Sequence, residues 1–584
     1  MTRIAIIDRK KCIKEKCGYV CIKVCPEVRM GITDCIKIDK DGYPVIDEIL
    51  CTGCGICPKR CPTNAITIIN LPQELSNYIH SYGVNSFRLY GKLLINTDNK
   101  GVIALIGKNG IGKTTFVKIL SNTIKPNFNM HIKDVKDILQ KLPIESRRYF
   151  SELYENKIKV AYKPQNIEAM KSAFSEKLVK DMLRNINIES ELAKKVYDDF
   201  GIEQLLERKF SVLSGGELQK IAIFACLAKN ADIYILDEPC TYLDIRERLK
   251  MALYLKELGE TKKVYLVEHD LAILDYSSDY CIIFYGNEQA YGIISSLKNI
   301  SNGINEYLGG FLKNENMRIR EYSIDFKQFG QKELNSNQVI LRFTDLKKSY
   351  SDFKFECKQG QIYANETIGI IGKNALGKSL FLTLLAKLLE PDVGEINSQA
   401  KISYKPQYIT TEHIKVKEYL ESCDDKQALQ TLIKEFNLSN ILDYYVNELS
   451  GGELQKVAIT KALSKNADLF ILDEPSAFLD VESRLEFSTI ITKIKQLKNC
   501  SFVIVEHDIS MIELLANRII PFTGESSILG IAHGVLPKYE GINIFLRDIG
   551  ITIRRDKENL RPKINKPNSV LDKEQKESNK YYGD

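Results

Sequence analysis

The chain has no long hydrophobic run, no tryptophan and no strong excess of charge of either sign. Because a membrane-spanning helix needs roughly 18 consecutive apolar residues, runs such as residues 221–228 fit a buried core and argue against a membrane protein. The net charge of +6 over 584 residues permits local contacts with nucleic acid without requiring them. The absence of tryptophan accompanies many Lys, Asn and Ile residues, which indicates a compositional drift that leaves the motifs below intact. The N-terminal residues MTRIAIIDRKKC are too few and too charged for a signal peptide, so we expect a cytoplasmic protein of three or more domains without a membrane partner.

Cysteine is unevenly distributed along the chain. Nine of the 15 cysteines fall within the first 61 residues, and the other six are scattered singly. A disulfide framework would need an oxidising compartment, and the N-terminus offers no route to one, so metal ligation is the better interpretation. Residues 51–62 have the spacing C-x2-C-x2-C-x3-C-P of two-cluster bacterial ferredoxins, and residues 12–26 have a stretched version of it.

In the two-cluster pattern the fourth cysteine of each motif ligates the other cluster. The spacing therefore predicts two 4Fe-4S clusters, one held by Cys12, Cys17, Cys21 and Cys61 and the other by Cys25, Cys51, Cys54 and Cys57. Cys35 is left over, and we expect it to be a small buried apolar residue. Zinc held by four cysteines stays open as an alternative, although an overlapping triple of cysteines followed by Cys-Pro is atypical of zinc sites.

Two segments, GKNGIGKT at residues 107–114 and GKNALGKS at residues 372–379, have the spacing of a phosphate-binding P-loop. Each follows an apolar run typical of a buried strand and precedes a helix-forming segment. Backbone amides of such a loop cradle phosphate, and its lysine reaches the β- and γ-phosphates of ATP. The predicted nucleotide-binding residues are Gly107, Asn109, Gly110, Gly112, Lys113, Thr114 and Thr115 in the first loop, and Gly372, Asn374, Gly377, Lys378 and Ser379 in the second.

Each loop is followed by the same series of motifs, which indicates an internal repeat. The series is YKPQ (162–165 and 404–407), LSGGELQK (213–220 and 449–456), ILDEP (235–239 and 471–475) and VEHD (267–270 and 505–508). Gln165 follows Lys113 by 52 positions, whereas Gln407 follows Lys378 by only 29. The first copy therefore carries 23 additional residues, which we place at about 127–158.

Each repeat offers carboxylates, hydroxyls, amides and imidazoles where ATP hydrolysis needs them. Magnesium would be held by an aspartate at the end of a buried strand and by the hydroxyl after the P-loop lysine, namely Asp237 with Thr114 and Asp473 with Ser379. The glutamate after each aspartate is placed to orient or deprotonate water, the glutamine to bridge metal and water, and the histidine to contact the γ-phosphate. The predicted catalytic residues are Glu238, Gln165 and His269 in the first repeat and Glu474, Gln407 and His507 in the second.

Together with the D-loops CTYLD (240–244) and SAFLD (476–480), these motifs resemble twin cassettes of the ATP-binding cassette superfamily. The resemblance implies a head-to-tail sandwich in which the P-loop of one cassette and the LSGG signature of the other enclose each ATP. The implied signature contacts are Ser450 and Gly452 for ATP at Lys113, and Ser214 and Gly216 for ATP at Lys378. Aromatic partners for adenine are expected at Phe87 and Tyr350. Each LSGGE is also a capping box that begins an ordinary helix, and each aromatic is equally a candidate core residue.

The order of a ferredoxin-like part and two cassettes resembles the ABC subfamily E, the ribosome-recycling factors also called RNase L inhibitor. The resemblance covers nearly the whole chain, including NENMRIRE (314–321) and the segment 541–578. It implies an α/β fold of two ABC-type P-loop nucleotide-binding domains with an N-terminal ferredoxin-like α+β iron-sulfur domain. The expected boundaries are 1–75 for the iron-sulfur domain, 76–310 and 341–540 for the cassettes, and 311–340 and 541–584 for two hinge arms.

The resemblance further implies an ATPase that splits ribosomes into subunits after termination and stays on the small subunit, which links recycling to initiation. ATP binding would close the cassettes and swing the iron-sulfur domain into the intersubunit space. The implied cofactors are two 4Fe-4S clusters, ATP and Mg²⁺. The implied partners are the ribosome, mainly its small subunit and rRNA, and termination and initiation factors, and we expect the chain to be monomeric.

Basic segments mark two further places of interest. Five arginines of the arms are clustered enough to contact rRNA or to pair with acidic residues: Arg318, Arg320, Arg554, Arg555 and Arg561. The insertion contains the basic and aromatic segment RRYF (147–150), and the resemblance implies that it forms a helix-loop-helix that contacts the small subunit.

Other functions stay open from the sequence. An ATP-coupled electron-transfer protein would change the redox state of its clusters, although the sequence has no flavin or nicotinamide fingerprint. A nuclease-inhibitor or regulatory protein would bind through the basic arms, with ATP hydrolysis secondary. A soluble partner of a separate permease is the weakest alternative, because such subunits seldom carry both cassettes and a cluster domain.

Overall fold

The structure is a computed structural model that describes residues 3–9, 11–47, 50–70, 78–93, 95, 100–128, 134–184, 186, 188, 190–320, 322–324, 338–409, 413–556 and 560–583. Within these ranges the chain forms an N-terminal α+β part and two α/β cassettes, with short paired strands after each cassette. The predicted fold class and the order of the parts are confirmed.

The N-terminal part is small, and its core contains cysteines. Strands Arg3–Ile7 and Ile66–Asn70 pair antiparallel, and so do Ile36–Ile38 and Pro44–Ile46. The helices are Val20–Val24, Pro26–Arg29 and Ile56–Arg60, with short 3-10 helices at Lys14–Cys17 and Thr33–Cys35. Four of the nine cysteines in this part are buried beside a few aliphatic residues. An apolar core of this size is too small to keep the part rigid on its own.

The first cassette is built around one nine-stranded sheet. Its strand order is Tyr78–Ser81, Arg88–Tyr90, Tyr291–Ile294, Tyr280–Asn287, Gly101–Ile106, Lys263–Val267, Ile233–Asp237 and Val160–Lys163, with Lys298–Asn299 beside Tyr280–Asn287. The helices are Lys113–Leu120, Val135–Lys141, Ile144–Tyr154, Glu168–Ala173, Val179–Leu183, Glu191–Asp199, Gly215–Leu227, Ile245–Thr261, Leu271–Ser277 and Ile300–Gly309, with 3-10 helices at Ile202–Leu205 and Phe210–Val212. A short pair, Phe311–Leu312 and Met317–Arg318, follows.

The second cassette repeats this sheet with the order Leu346–Ser349, Lys354–Cys357, Leu529–Ala532, Arg518–Glu525, Thr367–Ile371, Ser501–Val505, Leu469–Asp473 and Ile402–Lys405, with Leu536–Pro537 beside Arg518–Glu525. A smaller sheet contains Gly360–Tyr363, Val339–Phe343 and Ile396–Ser398. The helices are Lys378–Leu385, Val416–Glu421, Lys426–Glu435, Gly451–Leu463, Val481–Lys498, Ile509–Leu515 and Lys538–Ile549, with 3-10 helices at Leu438–Asn440 and Val446–Glu448. The C-terminal arm has strands Ile553–Arg555 and Pro562–Ile564 and the helix Val570–Glu577.

The central strands of each sheet position the ATP-binding motifs. Every residue of Gly101–Ile106, Ile233–Asp237 and Lys263–Val267 is buried, as expected for parallel strands covered by helices on both faces. These strands pair in parallel, so their carboxyl ends lie at one edge of the sheet. The first P-loop leaves that edge after Ile106, and Asp237 ends its strand there, which brings the loop and the carboxylate together.

The insertion near residues 127–158 contains the helices Val135–Lys141 and Ile144–Tyr154; residues 129–133 lie outside the described ranges. Tyr149 and Phe150 are fully buried, and the Tyr149 hydroxyl donates to a backbone carbonyl at the end of the P-loop helix (2.6 Å). Of the segment 147–150, only Arg147 and Arg148 are exposed. The aromatic residues therefore anchor the helix pair to the cassette core and form no part of its outer surface.

The arms connect to the cassettes through ion pairs. Three arm arginines pair with carboxylates: Arg320 with Glu482 (2.9 Å), Arg555 with Glu513 (2.5 Å) and Arg561 with Asp275 (3.1 Å). The Arg320 pair joins the first arm to the second cassette, and the Arg561 pair joins the C-terminal arm to the first. Arg318 and Arg554 are exposed. Residues 321 and 325–337 of the predicted arm 311–340 lie outside the described ranges.

Candidate ATP sites and iron-sulfur centre

Each P-loop lysine is buried within its own loop. Lys113 Nζ donates to the carbonyls of Gly107 (2.6 Å) and Lys108 (2.7 Å), and Lys378 Nζ donates to those of Gly372 (3.0 Å) and Lys373 (2.6 Å). Burial lowers the pKa of both lysines. Gly112, with φ of +101°, ends the first loop in a left-handed conformation that favours glycine, and the helix Lys113–Leu120 begins directly after it. The free amides of such a helix start favour a bound anion.

Glu238 and Glu474 occupy the same strained position in the two cassettes. Their φ angles are +48° and +46°, a left-handed conformation that non-glycine residues rarely adopt and that is often found at functional sites. Gln165 Nε2 donates to Glu238 Oε1, and Gln407 Nε2 to Glu474 Oε1, both at 2.7 Å. Nε2 of His269 and of His507 lies 3.4 and 3.1 Å from these same carboxylate oxygens. In each cassette the predicted glutamate, glutamine and histidine are therefore in contact.

The surroundings of the glutamates favour their ionised form. Although burial opposes ionisation, the neighbours His507, Lys378 and Gln407 lower the pKa of Glu474 to about 2. At Glu238, burial again favours the neutral form, but the neighbours, mainly His269, outweigh it and the pKa of the carboxyl is lowered. An ionised carboxylate at this position can accept a hydrogen bond from an attacking water, which is the role predicted for both glutamates.

The aspartates that directly precede these glutamates have raised pKa values, whereas the pKa values of the glutamates are lowered. Burial raises the pKa of Asp237 to about 7 and that of Asp473 to about 6. The hydroxyls of Thr114 and Ser379 and the nearby lysines lower these pKa values, but burial outweighs them. A divalent cation bound to the carboxylates would stabilise their charged form. The two aspartates therefore fit Mg²⁺ ligation beside the P-loop hydroxyls of Thr114 and Ser379.

Each P-loop also contacts the D-loop of the other cassette. Asn109 N donates to Asp480 Oδ2 (2.7 Å), and Asn374 N donates to Asp244 Oδ2 (2.8 Å). The side-chain amides of the two asparagines reach the carbonyls of Phe478 (3.3 Å) and Tyr242 (3.4 Å). The rings of Tyr242 and Phe478 meet with their centroids 5.4 Å apart. The two cassettes thus face each other head to tail.

Two clefts between the cassettes combine residues of both. The first, of about 2270 Å³, is lined by Lys113, Thr114, Thr115, Gln165 and Glu238 of the first cassette and by Ser450 and Gly452 of the second. The second, of about 910 Å³, is lined by Lys378, Ser379, Gln407 and Glu474 together with Ser214 and Gly216. The first cleft is also lined by Asp8 and Arg9 of the N-terminal part. Each cleft therefore contains predicted residues from both cassettes.

The signature serines are helix caps as well as cleft residues. Ser214 Oγ accepts from Glu217 N (3.3 Å) and Ser450 Oγ accepts from Glu453 N (3.4 Å), and each glutamate side chain returns a contact to the serine. The capping box thus begins the helix whose N-terminus opens into the cleft.

One aromatic residue beside each P-loop is a candidate for contact with adenine, and the one in the second cassette, Phe353, was not predicted from the sequence. Phe87 lies against the first P-loop, since a Cβ on Gly112 would come within 2.8 Å of its ring. In the second cassette the equivalent contact is made by Phe353, whose ring would lie 3.1 Å from a Cβ on Gly377. Tyr350, the residue predicted there, is 51% exposed and belongs to the turn before Phe353. Phe353 precedes its P-loop lysine by 25 residues and Phe87 by 26, so an alignment on the lysines that allows a shift of one residue would have pointed to Phe353.

The four cysteines predicted for the first cluster surround one cavity. Cys12, Cys17, Cys21 and Cys61 all line it. In the second predicted set, burial and the neighbouring Cys51, Cys54 and Cys25 raise the pKa of the Cys57 thiol to about 12. Cys35 is fully buried, with its Sγ 3.9 Å from Cys25 Sγ.

A single zinc ion and a cubane cluster make different demands on four thiols. Zinc ligands converge to about 2.3 Å from one ion, whereas a cubane cluster is a larger body held by four thiolates around it. Cys12, Cys17, Cys21 and Cys61 surround one cavity, and this ligand set fits a 4Fe-4S cluster.

Comparisons with known proteins agree with this geometry. The profile of the 4Fe-4S binding domain matches residues 44–67, and that of the ABC transporter family matches residues 93–241 and 356–477. An uncharacterized ABC transporter ATP-binding protein of Methanocaldococcus jannaschii is 43% identical over 99% of this chain and 97% of its own. The translation initiation factor RLI1 of Saccharomyces cerevisiae is 37% identical over 100% of this chain and 98% of its own. A solved structure of ribosome-bound archaeal Pelota and ABCE1 matches with a TM-score of 0.90 and 41% identity over 100% of this chain and 99% of that chain.

The chain belongs to the ABC subfamily E. A second subfamily E structure, the complex of archaeal ribosomal stalk protein aP1 with the archaeal ribosome recycling factor aABCE1, matches with a TM-score of 0.79 and 40% identity over 86% of this chain and 98% of that chain. The family resemblance seen in the sequence is thereby confirmed. This subfamily E chain is an ATPase that binds ATP in its cassettes and carries a 4Fe-4S domain. Among the helices described, none has the length and apolar character required to cross a membrane.

The D-loop aspartates of this subfamily E chain are functional candidates that are absent from the predicted site residues. Asp244 and Asp480 are buried, cap the helices that follow them and bind the P-loop of the opposite cassette. Although burial opposes it, His269 and Asn109 lower the pKa of Asp480 to about 2. Their position as the last residue of CTYLD and SAFLD is the sequence signal that could have identified them.

Proposed function

We propose that this subfamily E chain is a ribosome-recycling factor that uses ATP to split ribosomes into subunits after termination. It then stays on the small subunit and so links recycling to initiation. In this proposal the protein is a cytoplasmic monomer that binds mainly the small subunit and its rRNA and works with termination and initiation factors. The printed descriptions of its relatives support the proposal, because they name a ribosome-bound protein, a ribosome recycling factor and a translation initiation factor.

The observation that carries the proposal is the division of each ATP site between the cassettes. Lys113 and Ser450 line the first cleft from different cassettes. A γ-phosphate between the lysine and the helix start at Ser450 would be fully bound only while the cassettes are together. ATP would therefore stabilise the closed arrangement through its higher affinity for that state, and hydrolysis would release it.

Within each site we assign the chemistry to residues that the structure brings into contact. Mg²⁺ would be held by Asp237 with Thr114 and by Asp473 with Ser379. Glu238 and Glu474 would orient the attacking water, helped by the amides of Gln165 and Gln407. His269 and His507 would contact the γ-phosphate while their Nε2 atoms stay near the glutamates. Phe87 and Phe353 are the aromatic residues best placed for adenine, with Tyr350 as the alternative in the second cassette.

The N-terminal part is attached to both cassettes, so their relative movement would be transmitted to it. Asn85, which belongs to the first cassette by the predicted boundary, exchanges two hydrogen bonds with the backbone of Ile46 (2.9 and 3.1 Å). The Tyr444 hydroxyl of the second cassette donates to Asp8. Two 4Fe-4S clusters held by the eight predicted cysteines would stiffen this small part into a rigid wedge. We therefore assign the clusters a structural function.

Exposed arginines are the best candidates for rRNA contacts. Arg147 and Arg148 on the inserted helix pair and Arg318 and Arg554 on the arms are all exposed. The Arg147 guanidinium is held by two backbone carbonyls (both 3.1 Å), which orders its side chain toward one surface. Binding to rRNA through such residues would weaken as the salt concentration rises.

Sedimentation of ribosomes with the purified, iron-loaded protein tests the proposal. We expect ATP or a non-hydrolysable analogue to produce separated subunits, with the protein retained on the small subunit under the analogue. The double variant E238Q/E474Q is the control, because it should bind ATP without turnover and remain on the small subunit in ATP alone.

If the iron-loaded, active ATPase neither splits ribosomes nor binds a subunit in any nucleotide state, the recycling proposal is wrong. A cluster reduction that is visible by EPR and changes with ATP would then favour the electron-transfer alternative. Nuclease inhibition that survives in E238Q/E474Q would instead favour the regulatory alternative.

A further inference from the structure

Each cassette contains a fully buried lysine in its YKPQ motif. Lys163 and Lys405 are 1% and 2% exposed. Each is the last residue of a strand, Val160–Lys163 in the first cassette and Ile402–Lys405 in the second. As far as the described residues define the two ATP clefts, neither lysine lines them. The burial of these lysines therefore needs a reason other than contact with ATP.

In the first cassette Lys163 and Gln165 hold the two ends of the predicted catalytic glutamate. Lys163 Nζ donates to the backbone carbonyls of Asp237 (2.9 Å) and Glu238 (3.0 Å). Gln165, two residues further along the chain, donates from Nε2 to the Glu238 carboxylate (2.7 Å). The YKPQ motif therefore binds both the backbone and the side chain of this glutamate.

The second cassette repeats the arrangement. Lys405 Nζ donates to the carbonyl of Asp473 (2.9 Å), which belongs to the peptide bond that precedes Glu474. Gln407 Nε2 donates to the Glu474 carboxylate (2.7 Å). In both cassettes the ammonium group of the lysine therefore holds the peptide that joins the aspartate to the glutamate.

This peptide needs support because the glutamate after it has a strained backbone. The φ angles of Glu238 and Glu474, +48° and +46°, persist only where the surrounding structure enforces them. A glutamine of the signature helix supplies a second donor in each cassette. Gln219 Nε2 donates to the Glu238 carbonyl (2.9 Å), and Gln455 Nε2 donates to the Glu474 carbonyl (2.6 Å). The strained backbone is thus held from a strand and from a helix.

A charged donor in this place is costly, because burial disfavours the ammonium form of lysine. Burial lowers the pKa of Lys163 and of Lys405 to about 8, while the neighbouring carboxyl groups act in the opposite direction. In the first cassette those neighbours include Asp237 and Glu238. A lysine at this position therefore supplies hydrogen bonds to the backbone together with a charge that offsets the adjacent carboxylates.

We propose that Lys163 and Lys405 are positioning residues for ATP hydrolysis, which hold the peptide before each glutamate so that its carboxylate faces the attacking water. They act through Glu238 and Glu474, so the inference rests on the function proposed above for those glutamates. It stands apart from ribosome recycling. Removal of the ammonium group should slow hydrolysis and leave the affinity for ATP unchanged, because the P-loop and the signature stay in place.

Variants with one working ATP site test the inference. In E474Q only the first site works, and K163M in that background should lower kcat by about 10- to 100-fold, because a small displacement of a reacting group has an effect of this size. The KM for ATP should stay nearly the same. K163R keeps the charge and the donors, so it should retain most of the turnover. K405M should have the effect of K163M when it is placed in E238Q, where only the second site works.

A matched control separates positioning from general damage. K298M in E474Q removes another buried lysine of the first cassette, which pairs with Glu306 (3.1 Å) and Glu315 (2.8 Å). K298M should lower the stability of the fold, because two carboxylates lose their partner. It should leave kcat nearly unchanged. A fall in kcat as large as that of K163M would show that any buried lysine has this effect and would overturn the inference.

A background without the glutamate shows whether the lysine acts through it. In E238Q/E474Q the addition of K163M should cause no further loss of phosphate release in a single turnover. An equal loss in the presence and absence of Glu238 would mean that Lys163 acts independently of the glutamate, which would contradict the inference.

The comparison of E238Q/E474Q with E474Q tests the glutamate itself. If the two turn over ATP equally fast, the function proposed for Glu238 is wrong. If E238Q/E474Q is slower but K163M and K405M leave kcat unchanged, the glutamate keeps its function and the positioning inference is overturned. Thermal unfolding identifies variants that do not fold. If K163M is one of them, K163Q in E474Q and K405M in E238Q carry the test.

Discussion

Replacing Arg320 by methionine should destabilise the junction between the first arm and the second cassette. The Arg320 guanidinium donates to Glu482 (2.9 Å) and to the carbonyls of Tyr307 (2.7 Å) and Leu308 (2.8 Å). The side chains of Arg320 and Glu482 are 5% and 7% exposed. Methionine keeps much of the apolar volume but removes every donor, so Glu482 is left with less compensation for its buried charge.

The size of the expected loss in stability depends on the partners that Glu482 keeps. Loss of one partner from a buried ion pair costs about 3–5 kcal/mol, because the other charge stays buried. Glu482 keeps a second cation, Lys108, at 3.0 Å. We therefore expect the lower end of that range, about 3 kcal/mol in the free energy of unfolding.

Denaturant unfolding of matched variants checks this value. R320M should unfold at a clearly lower denaturant concentration, whereas R320M/E482Q should recover most of the loss because no buried charge is left uncompensated. R318M, at an exposed position two residues away, should stay within about 0.5 kcal/mol of the unsubstituted protein. The reasoning would be refuted if R320M were as stable as R318M, or if R320M/E482Q were less stable than R320M.

Four further outcomes are expected. The single variant E238Q keeps the phosphate release of the second site, and adding E474Q should lower that release by about 10²–10⁴-fold. A loss of less than tenfold would contradict the role of Glu474 in orienting the attacking water. The pKa of Glu474 is lowered to about 2, from about 4.3 in an unfolded chain. Its carboxylate therefore stabilises the fold above pH 4.3, and this contribution is lost as the pH falls toward 2. E474Q should flatten that part of the acid-unfolding curve. The pKa of Asp237 is raised to about 7, so acidification below pH 7 should weaken Mg²⁺ binding with ATP, and calorimetry should find a smaller dependence in D237N, where the phosphates of ATP titrate without the aspartate. C61S should lower the iron content from about eight to about four atoms per chain, whereas C35S should keep eight; equal losses would contradict the cysteine assignment.

The parts of the sites that come from short motifs were predictable from the sequence. A P-loop, a capping box or the end of a buried strand fixes the local backbone within a few residues, so Lys113, Ser214 and Asp237 lie where their motifs imply. The contact between the P-loop of one cassette and the signature of the other was also predictable from the sequence. The motifs occur twice in register, and the family resemblance implied a head-to-tail pairing. The α/β class followed from the same strand-loop-helix contexts.

Contacts that depend on packing were not predictable in this way. Arg320 and Glu482 are 162 positions apart in the chain, and nothing local to either residue identifies its partner. Tyr149 and Phe150 adjoin two exposed arginines in sequence, but the inserted helix turns them into the core. The same holds for Tyr350 and Phe353, which stand at the two ends of the connection between strands Leu346–Ser349 and Lys354–Cys357. Nothing in the local sequence shows that Phe353 is the residue whose ring lies against the P-loop.

A substitution in one signature tests most directly whether each ATP site is shared between cassettes. A side chain at Gly452 would meet Phe478 O at 3.0 Å and approach the Asn109 side chain of the first P-loop at 3.6 Å. G452R should therefore reduce phosphate release to background in E474Q, where only the first site works. In E238Q, where only the second site works, it should leave measurable turnover. The opposite pattern, with loss in E238Q and turnover in E474Q, would show that each signature serves its own cassette and would contradict the shared sites.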